Sequence, residues 1–155
     1  MTYIGIDPGK MGALAIIDDS AGETNVTLVP FDVMDYRHHL ALIDEHKAVA
    51  AVERVGAMPG QGVTSMFNFG ENYGTIQGLL LANYIPYELV TPQRWRKAFG
   101  ITGDKNASID VARRLFPGVD LKRSKIAHKD NDGMAEALLL AEYARRTMGG
   151  HNATD

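Results

Sequence analysis

The run AVAAVE at 48–53 constrains this chain more than any other stretch. Five apolar residues with no polar alternation read as a central strand buried on both faces, so the sheet that contains it must have helices packed on either side. This strand ends on a carboxylate, Glu53. The opening segment repeats the device: in YIGIDPGKMGALAIID (3–18) two short apolar runs are joined by a Pro-Gly turn, and the first run ends on Asp7. A charge at the tip of a buried strand requires an explanation.

The remaining pattern fills in an α/β layered domain. Strands are expected at 2–7, 12–18 and 25–31, a polar helix at 35–46, a Gly/Pro loop GAMPGQG at 56–62 and a long helix at 64–83. A strand at 87–90 and helices at 92–99, 106–116 and 132–147 follow. The order is βββαβαβα with no internal repeat or linker, so one domain is expected over 1–148 with a short tail at 149–155. At 155 residues and 45% apolar content the chain can bury a core of its own. It contains no cysteine, which excludes a disulfide framework, a thiolate metal site and a thiol nucleophile, and fits a reducing compartment. There is neither a charged leader before an apolar run nor a stretch of 18 apolar residues, so a soluble cytoplasmic protein without a membrane partner is expected.

The net charge of −3 hides a strong asymmetry. Between Arg94 and Lys129 lie ten basic residues and three acids, a local excess of +7 that leaves −10 for the rest of the chain. Such a segment reads either as a solvated face or as a footprint for a phosphate backbone.

The acids also form a pattern. Asp132 and Glu136, four apart in HKDNDGMAEALLLAEY (128–143), are neighbours on one face of the last helix. Two like charges there repel each other, and a hard divalent cation would remove the conflict. Taken singly, Asp7 is explained by a turn, Glu53 by pairing with Arg54, and Asp130 or Asn131 by capping the helix. Jointly, a strand-end Asp, a central-strand Glu and an i,i+4 acid pair are the parts of a metal-dependent nuclease of ribonuclease H-like fold, a central mixed five-stranded sheet flanked by helices.

IGIDPGKMGALAI, AVERV and DGMAEALLLAEYARR resemble the RuvC-type Holliday junction resolvases. The phage and prophage branch is the nearest likeness, suggested by GVTSMFNFGENYGTIQGLL, IPYELVTPQRWRK and KNASIDVARRLFP. The resemblance implies a homodimeric endonuclease of a bacterial host cell, encoded by the host or by a phage or prophage, that cuts four-way DNA junctions with two Mg²⁺ ions per active site, Mn²⁺ able to substitute. It assigns Asp7, Glu53, Asp132 and Glu136 as catalytic acids and metal ligands, and Lys105 as a basic group near the scissile phosphate. Lys97, Lys105, Lys122, Arg123, Lys125 and Lys129 are the expected DNA contacts, although Lys97 and Lys105 read equally as surface lysines.

Two departures from the cellular pattern stand out. The last acids are four apart with Glu second, which leaves Asp130 as a substitute ligand. Gly56 stands where the family carries an aromatic at the junction centre. Met58, Phe67 or Phe69 could fill that wedge role, but Phe67 and Phe69 also suit helix packing. Trp95, set among Arg94, Arg96 and Lys97, suits the core better than base stacking. His38 and His39 read as exposed, and His128 stands out only by its place before the acids.

Other branched DNA, flaps or three-way junctions, would suit the same chemistry. An IGIDPG hairpin also resembles the phosphate-binding turn of the sugar kinase and actin ATPase group, but one domain of this length supplies only half of their ATP cleft. A non-catalytic DNA-binding dimer leaves the acids without a role. For assembly, Gly70, Gly74 and Gly78 line one stripe of the long helix, suited to close approach by the sheet. Met66, Phe69, Tyr73, Ile76 and Leu80 form a second ridge, so a twofold dimer through this helix is expected.

Overall fold

The computed structural model describes the whole chain except Ala21, Ala57, Met58, Lys105 and 150–155. Its strands are β1 (Thr2–Ile6), β2 (Ala13–Asp18), β3 (Asn25–Pro30), β4 (Ala48–Glu53) and β5 (Tyr87–Val90). Its helices are α1 (Val33–Leu40), α2 (Val63–Ala82), α3 (Pro92–Ala98), α4 (Ala107–Leu115) and α5 (Asp132–Met148), with a 3₁₀ turn at Glu45–Lys47. The strands form one sheet in the order β3-β2-β1-β4-β5. β1, β2 and β3 pair antiparallel, while β1–β4 and β4–β5 are parallel. The expected mixed five-stranded sheet flanked by helices is therefore present.

Alternation along the strands divides the core in two. Tyr3, Ala13, Ala15, Ile17 and Ala51 face α3, α4 and α5, whereas Ile4, Ile6, Leu14, Ala50 and Val52 face Tyr36 and Leu40 of α1 and Ile76 and Leu80 of α2. Small residues dominate the first face because α5 lies almost on the sheet. A Cβ on Gly5 would fall 2.1 Å from both the Ala137 carbonyl oxygen and the Ala141 nitrogen, so only glycine permits this contact. From 133 to 144 every residue of α5 except Glu136 is buried. The helix thus runs through the core and leaves one carboxylate half-buried at its edge.

Two helices differ from expectation. α1 begins earlier, because the Asp32 carboxylate accepts the N–H groups of Met34 and Asp35 at 2.9 and 3.0 Å, and it stops at Leu40. The segment expected to prolong it is a separate turn, capped by Asp44 through the His46 N–H. Within α1, His38 is exposed, but His39 is half-buried with Nδ1 2.8 Å from the Asp35 carbonyl.

α2 packs the other way round. A Cβ on Gly70, Gly74 or Gly78 would meet nothing within 4 Å, so the sheet does not approach that stripe. Ile76 and Leu80 are buried, with Tyr73 and Leu79 packed alongside. The sheet face is already built of Ile4, Ile6 and Leu14, and the gap above it needs branched side chains rather than bare backbone. The expected packing of Phe67 is also overturned, since it is 66% exposed. Phe69 is half-buried and stacks on Tyr73 with ring centroids 6.2 Å apart.

Candidate active site

β1 and β4 are parallel neighbours, so the residues that follow or end them emerge at the same edge of the sheet. This brings Asp7 and Glu53 together although 46 positions separate them in the chain. The start of α5 adds Asp132 and Glu136 from above. A Cβ on Gly133 would lie 2.2 Å from the Met11 carbonyl oxygen, so glycine at the second position of α5 lets its first turn press against the β1–β2 turn. Asn131 caps α5 by accepting the Met134 N–H at 3.1 Å. Asp132 is exposed and accepts the Gly133 N–H at 3.0 Å.

The electrostatics record this gathering. Burial, then the negative charge of Glu53, pushes the Asp7 carboxyl up from 3.8 to about 7; Glu136 and Asp132 add to the rise, and the Gly9 N–H, 3.3 Å from Oδ1, opposes it. The Glu53 carboxyl is raised chiefly by burial and also by Glu136, against a hydrogen bond from Trp95 and the charge of Arg96. Burial raises Glu136 as well, against Arg96 and Ser108. A desolvated group of like charges is strained as it stands, and its carboxylate oxygens are the donors that hard divalent cations take. Among the described residues no three acidic or histidine side chains surround a single point. Two of the four carboxylates are engaged elsewhere: Trp95 Nε1 donates to Glu53 Oε1 at 3.0 Å, and an Arg96 terminal nitrogen donates to Glu136 Oε1 at 2.5 Å, where the Ser108 hydroxyl also donates at 3.3 Å.

Asp130, the substitute ligand, lies outside this group. Both Nε and a terminal nitrogen of Arg113 hold its Oδ2, at 2.7 and 2.6 Å, and it is not among the charges that act on Asp7. Trp95 is fully buried, in line with a core role, yet its indole N–H also orients an acid of the site. That bond, the Arg96 pair and the Ser108 contact were all missed by sequence reasoning. Thr91 and Pro92 signal where α3 starts and so how Trp95 and Arg96 fall on it, but nothing in the chain announces which carboxylate each one meets.

The basic segment separates into two groups. Arg94 pairs with Glu88, Arg96 with Glu136 and Arg113 with Asp130. Arg123, expected at DNA, donates to the carbonyls of Met11 and Gly12 at 2.7 and 2.9 Å and so clamps the turn that follows Asp7. Lys97, Arg114, Lys122, Lys125 and Lys129 are exposed and make no ion pair among the described residues. His128 is exposed as well. Lys105 and the wedge candidate Met58 lie outside the described residues, and Gly56 sits on the rim of a cleft of about 990 Å³ lined by Arg54, Gln61, Ser65, Phe69, Thr91 and Gln93. No helix among the described residues is long and apolar enough to cross a membrane.

No protein-family model matches the chain. It is 34% identical over 95 residues to the chloroplastic Holliday junction resolvase MOC1 of Chlamydomonas reinhardtii, a match that spans 60% of this chain and 10% of that protein's length. In fold it is similar to Thermus thermophilus RuvC in complex with a Holliday junction substrate, with a TM-score of 0.60 at 15% identity over 96% of each chain. The Thermus thermophilus RuvC structure gives a TM-score of 0.59 at 16% identity over 96% of this chain and 97% of that one. The fold is therefore that of RuvC, the ribonuclease H-like arrangement expected from the strand-end acids, and the resemblance to RuvC-type Holliday junction resolvases holds in both sequence and structure.

Proposed function

We propose that this chain is a divalent-metal-dependent, structure-selective endodeoxyribonuclease that resolves four-way DNA junctions by phosphodiester hydrolysis. The observation that supports the reading is that Asp7, Glu53, Asp132 and Glu136, from two parallel strand ends and one helix start, lie near enough for the other three to raise the Asp7 carboxyl, on a RuvC fold, although they do not yet surround a single point. Asp7, Glu53, Asp132 and Glu136 would hold the cations. Held there, two Mg²⁺ ions, or Mn²⁺ in their place, would supply water activation and charge stabilisation at the departing 3′-oxygen.

The chain's own residues hold and aim. Trp95 keeps Glu53 directed at the site, the Gly9 N–H orients Asp7, and Arg123 fixes the turn behind it. Because Asp7 titrates near 7, loading the site at or below neutral pH exchanges protons for cations. Lys97, Lys122, Lys125 and Lys129, with Lys105, contact phosphates and position the junction without reading bases.

The working unit is a twofold homodimer through α2. Val63 is 86% and Phe67 66% exposed, and the glycine stripe opens to the outside, so this helix offers a second copy an apolar ridge beside bare backbone. A pair of such sites suits cutting two strands of like polarity. The phage or prophage branch is supported by the sequence likeness alone, and the expected bacterial host does not fit the chloroplastic relative.

Purified protein incubated with an immobile four-way junction, a three-way junction, a flap and a matched linear duplex, with and without Mg²⁺, tests this. Paired symmetric incisions on the four-way junction alone, dependent on Mg²⁺, are expected. Equal cutting of duplex, preference for flaps or three-way junctions, or no cutting overturns the junction assignment.

A further inference from the structure

α3 presents two consecutive residues to two different acids of the site. Trp95 takes Glu53, and Arg96 takes Glu136. The tryptophan contact is that of a permanent support, a fully buried indole whose N–H has one well-placed acceptor. The arginine contact is of another kind. A guanidinium built into a fixed ion pair sets two N–H groups on its carboxylate, as Arg113 does on Asp130. Arg96 reaches Glu136 through one terminal nitrogen, on an oxygen shared with Ser108, and its Nε is buried with no acceptor. The side chain is about one-third exposed and borders a second cleft, lined by Gln93, Lys97, Gly100 and Thr102. Its guanidinium rests 5.3 Å from the Trp95 ring centroid, a contact it can keep without Glu136. The pairing offsets one negative charge in a cluster of four, which is the service a metal ion performs.

We propose that Arg96 is a resident counter-ion of the metal-free site: it competes with a divalent cation for Glu136, and cation binding releases its guanidinium toward the Lys97 cleft, where it meets a phosphate oxygen of the substrate. The inference rests on the reading of the acids as a metal site. It makes Arg96 a positioning residue for metal loading and a contact for the anionic substrate, two roles exchanged at a single event. The protein thereby avoids an uncompensated acid cluster before loading and gains a cation at its surface afterwards.

The test uses Mn²⁺ and no DNA for its main readout, so that it is independent of cleavage. Mn²⁺ affinity of the wild-type chain, Arg96→Gln and Arg96→Lys is measured by titration calorimetry and by electron paramagnetic resonance of unbound Mn²⁺, with circular dichroism confirming the fold of each variant. Arg96→Gln should bind Mn²⁺ about tenfold more tightly, the scale of one hydrogen bond to a charged group. Arg96→Lys should fall between the two. In a separate binding assay, the deficit of Arg96→Gln relative to wild type on the junction should be larger in Mn²⁺ than in metal-free buffer. Unchanged or weakened Mn²⁺ binding by folded Arg96→Gln overturns the proposal. If Arg96→Gln does not fold, the Lys variant decides, and affinity equal to wild type overturns it. A wild-type chain that cuts junctions while Arg96→Gln gains no affinity sinks only the role of Arg96. Tightened Mn²⁺ binding without any junction cutting sinks only the nuclease reading.

Discussion

Asp7 is held near 7 by burial and by the acids around it, so its charged form is disfavoured in the folded state. Its contribution to stability is fully present below the ordinary value of 3.8 and is lost as the pH rises through about 7. Asp7→Asn removes that loss. In metal-free buffer the melting temperature of the variant should gain on wild type progressively from pH 4 to 7 and hold a constant lead above that, as a thermal-melt series across pH would reveal. The same variant should lose cleavage while retaining junction binding, since a proposed ligand is gone and the site repels phosphate less. Trp95→Phe isolates the other support. It keeps an aromatic in the core but removes the bond to Glu53, and should lower stability by about 2 kcal/mol in urea unfolding and cleavage by about tenfold at saturating Mg²⁺. Asp7 and Glu53 are legible in the sequence because a carboxylate ending an apolar strand breaks the pattern. Trp95 and Arg96 are not, because their partners lie 42 and 40 positions away and nothing local distinguishes a supporting side chain from a core or surface one.

Among the elements, the link from Asp132 back to Leu121 contains two kinds of basic residue that composition cannot separate. Arg123 bonds the carbonyls of Met11 and Gly12, whereas Lys122 and Lys125 beside it are exposed. Arg123→Gln should therefore reduce cleavage and leave the salt dependence of junction binding unchanged. Reversal of Lys122, Lys125 and Lys129 to Glu should do the opposite, flattening the plot of log affinity against log salt by up to about 0.9 for each phosphate no longer neutralised. Electrophoretic mobility shifts at several salt concentrations distinguish the two outcomes. The boundaries of most elements are readable because period and caps agree, as at Thr91-Pro92 before α3. The facing of α2 is not. Glycines at four-residue spacing say that something comes close, but which side of the helix meets the sheet is decided by how much volume the strands leave to be filled.

For the molecule as a whole, the proposed dimer would form through the outward glycine stripe of α2 and its exposed Val63 and Phe67. Phe67→Glu alters a side chain that the monomer does not bury, so the melting temperature of the isolated chain should change little. Sedimentation at micromolar concentration should nonetheless shift from a dimeric to a monomeric mass, and junction cutting should fall to single nicks. A monomeric wild type with the same paired incisions would refute the α2 interface.

The backbone contact between Gly5 and α5 bears also on how the protein is made. Strand β1 is synthesised before the other elements of this fold, yet it can complete neither its core face nor its acid set until a helix more than 120 residues downstream has been synthesised and has docked on it. Such long-range closure comes late in folding, after the loops between have been ordered. A nascent or prematurely terminated chain therefore carries Asp7 and Glu53 without Asp132 and Glu136, and the proposed DNA-cutting centre comes into being only with the finished fold.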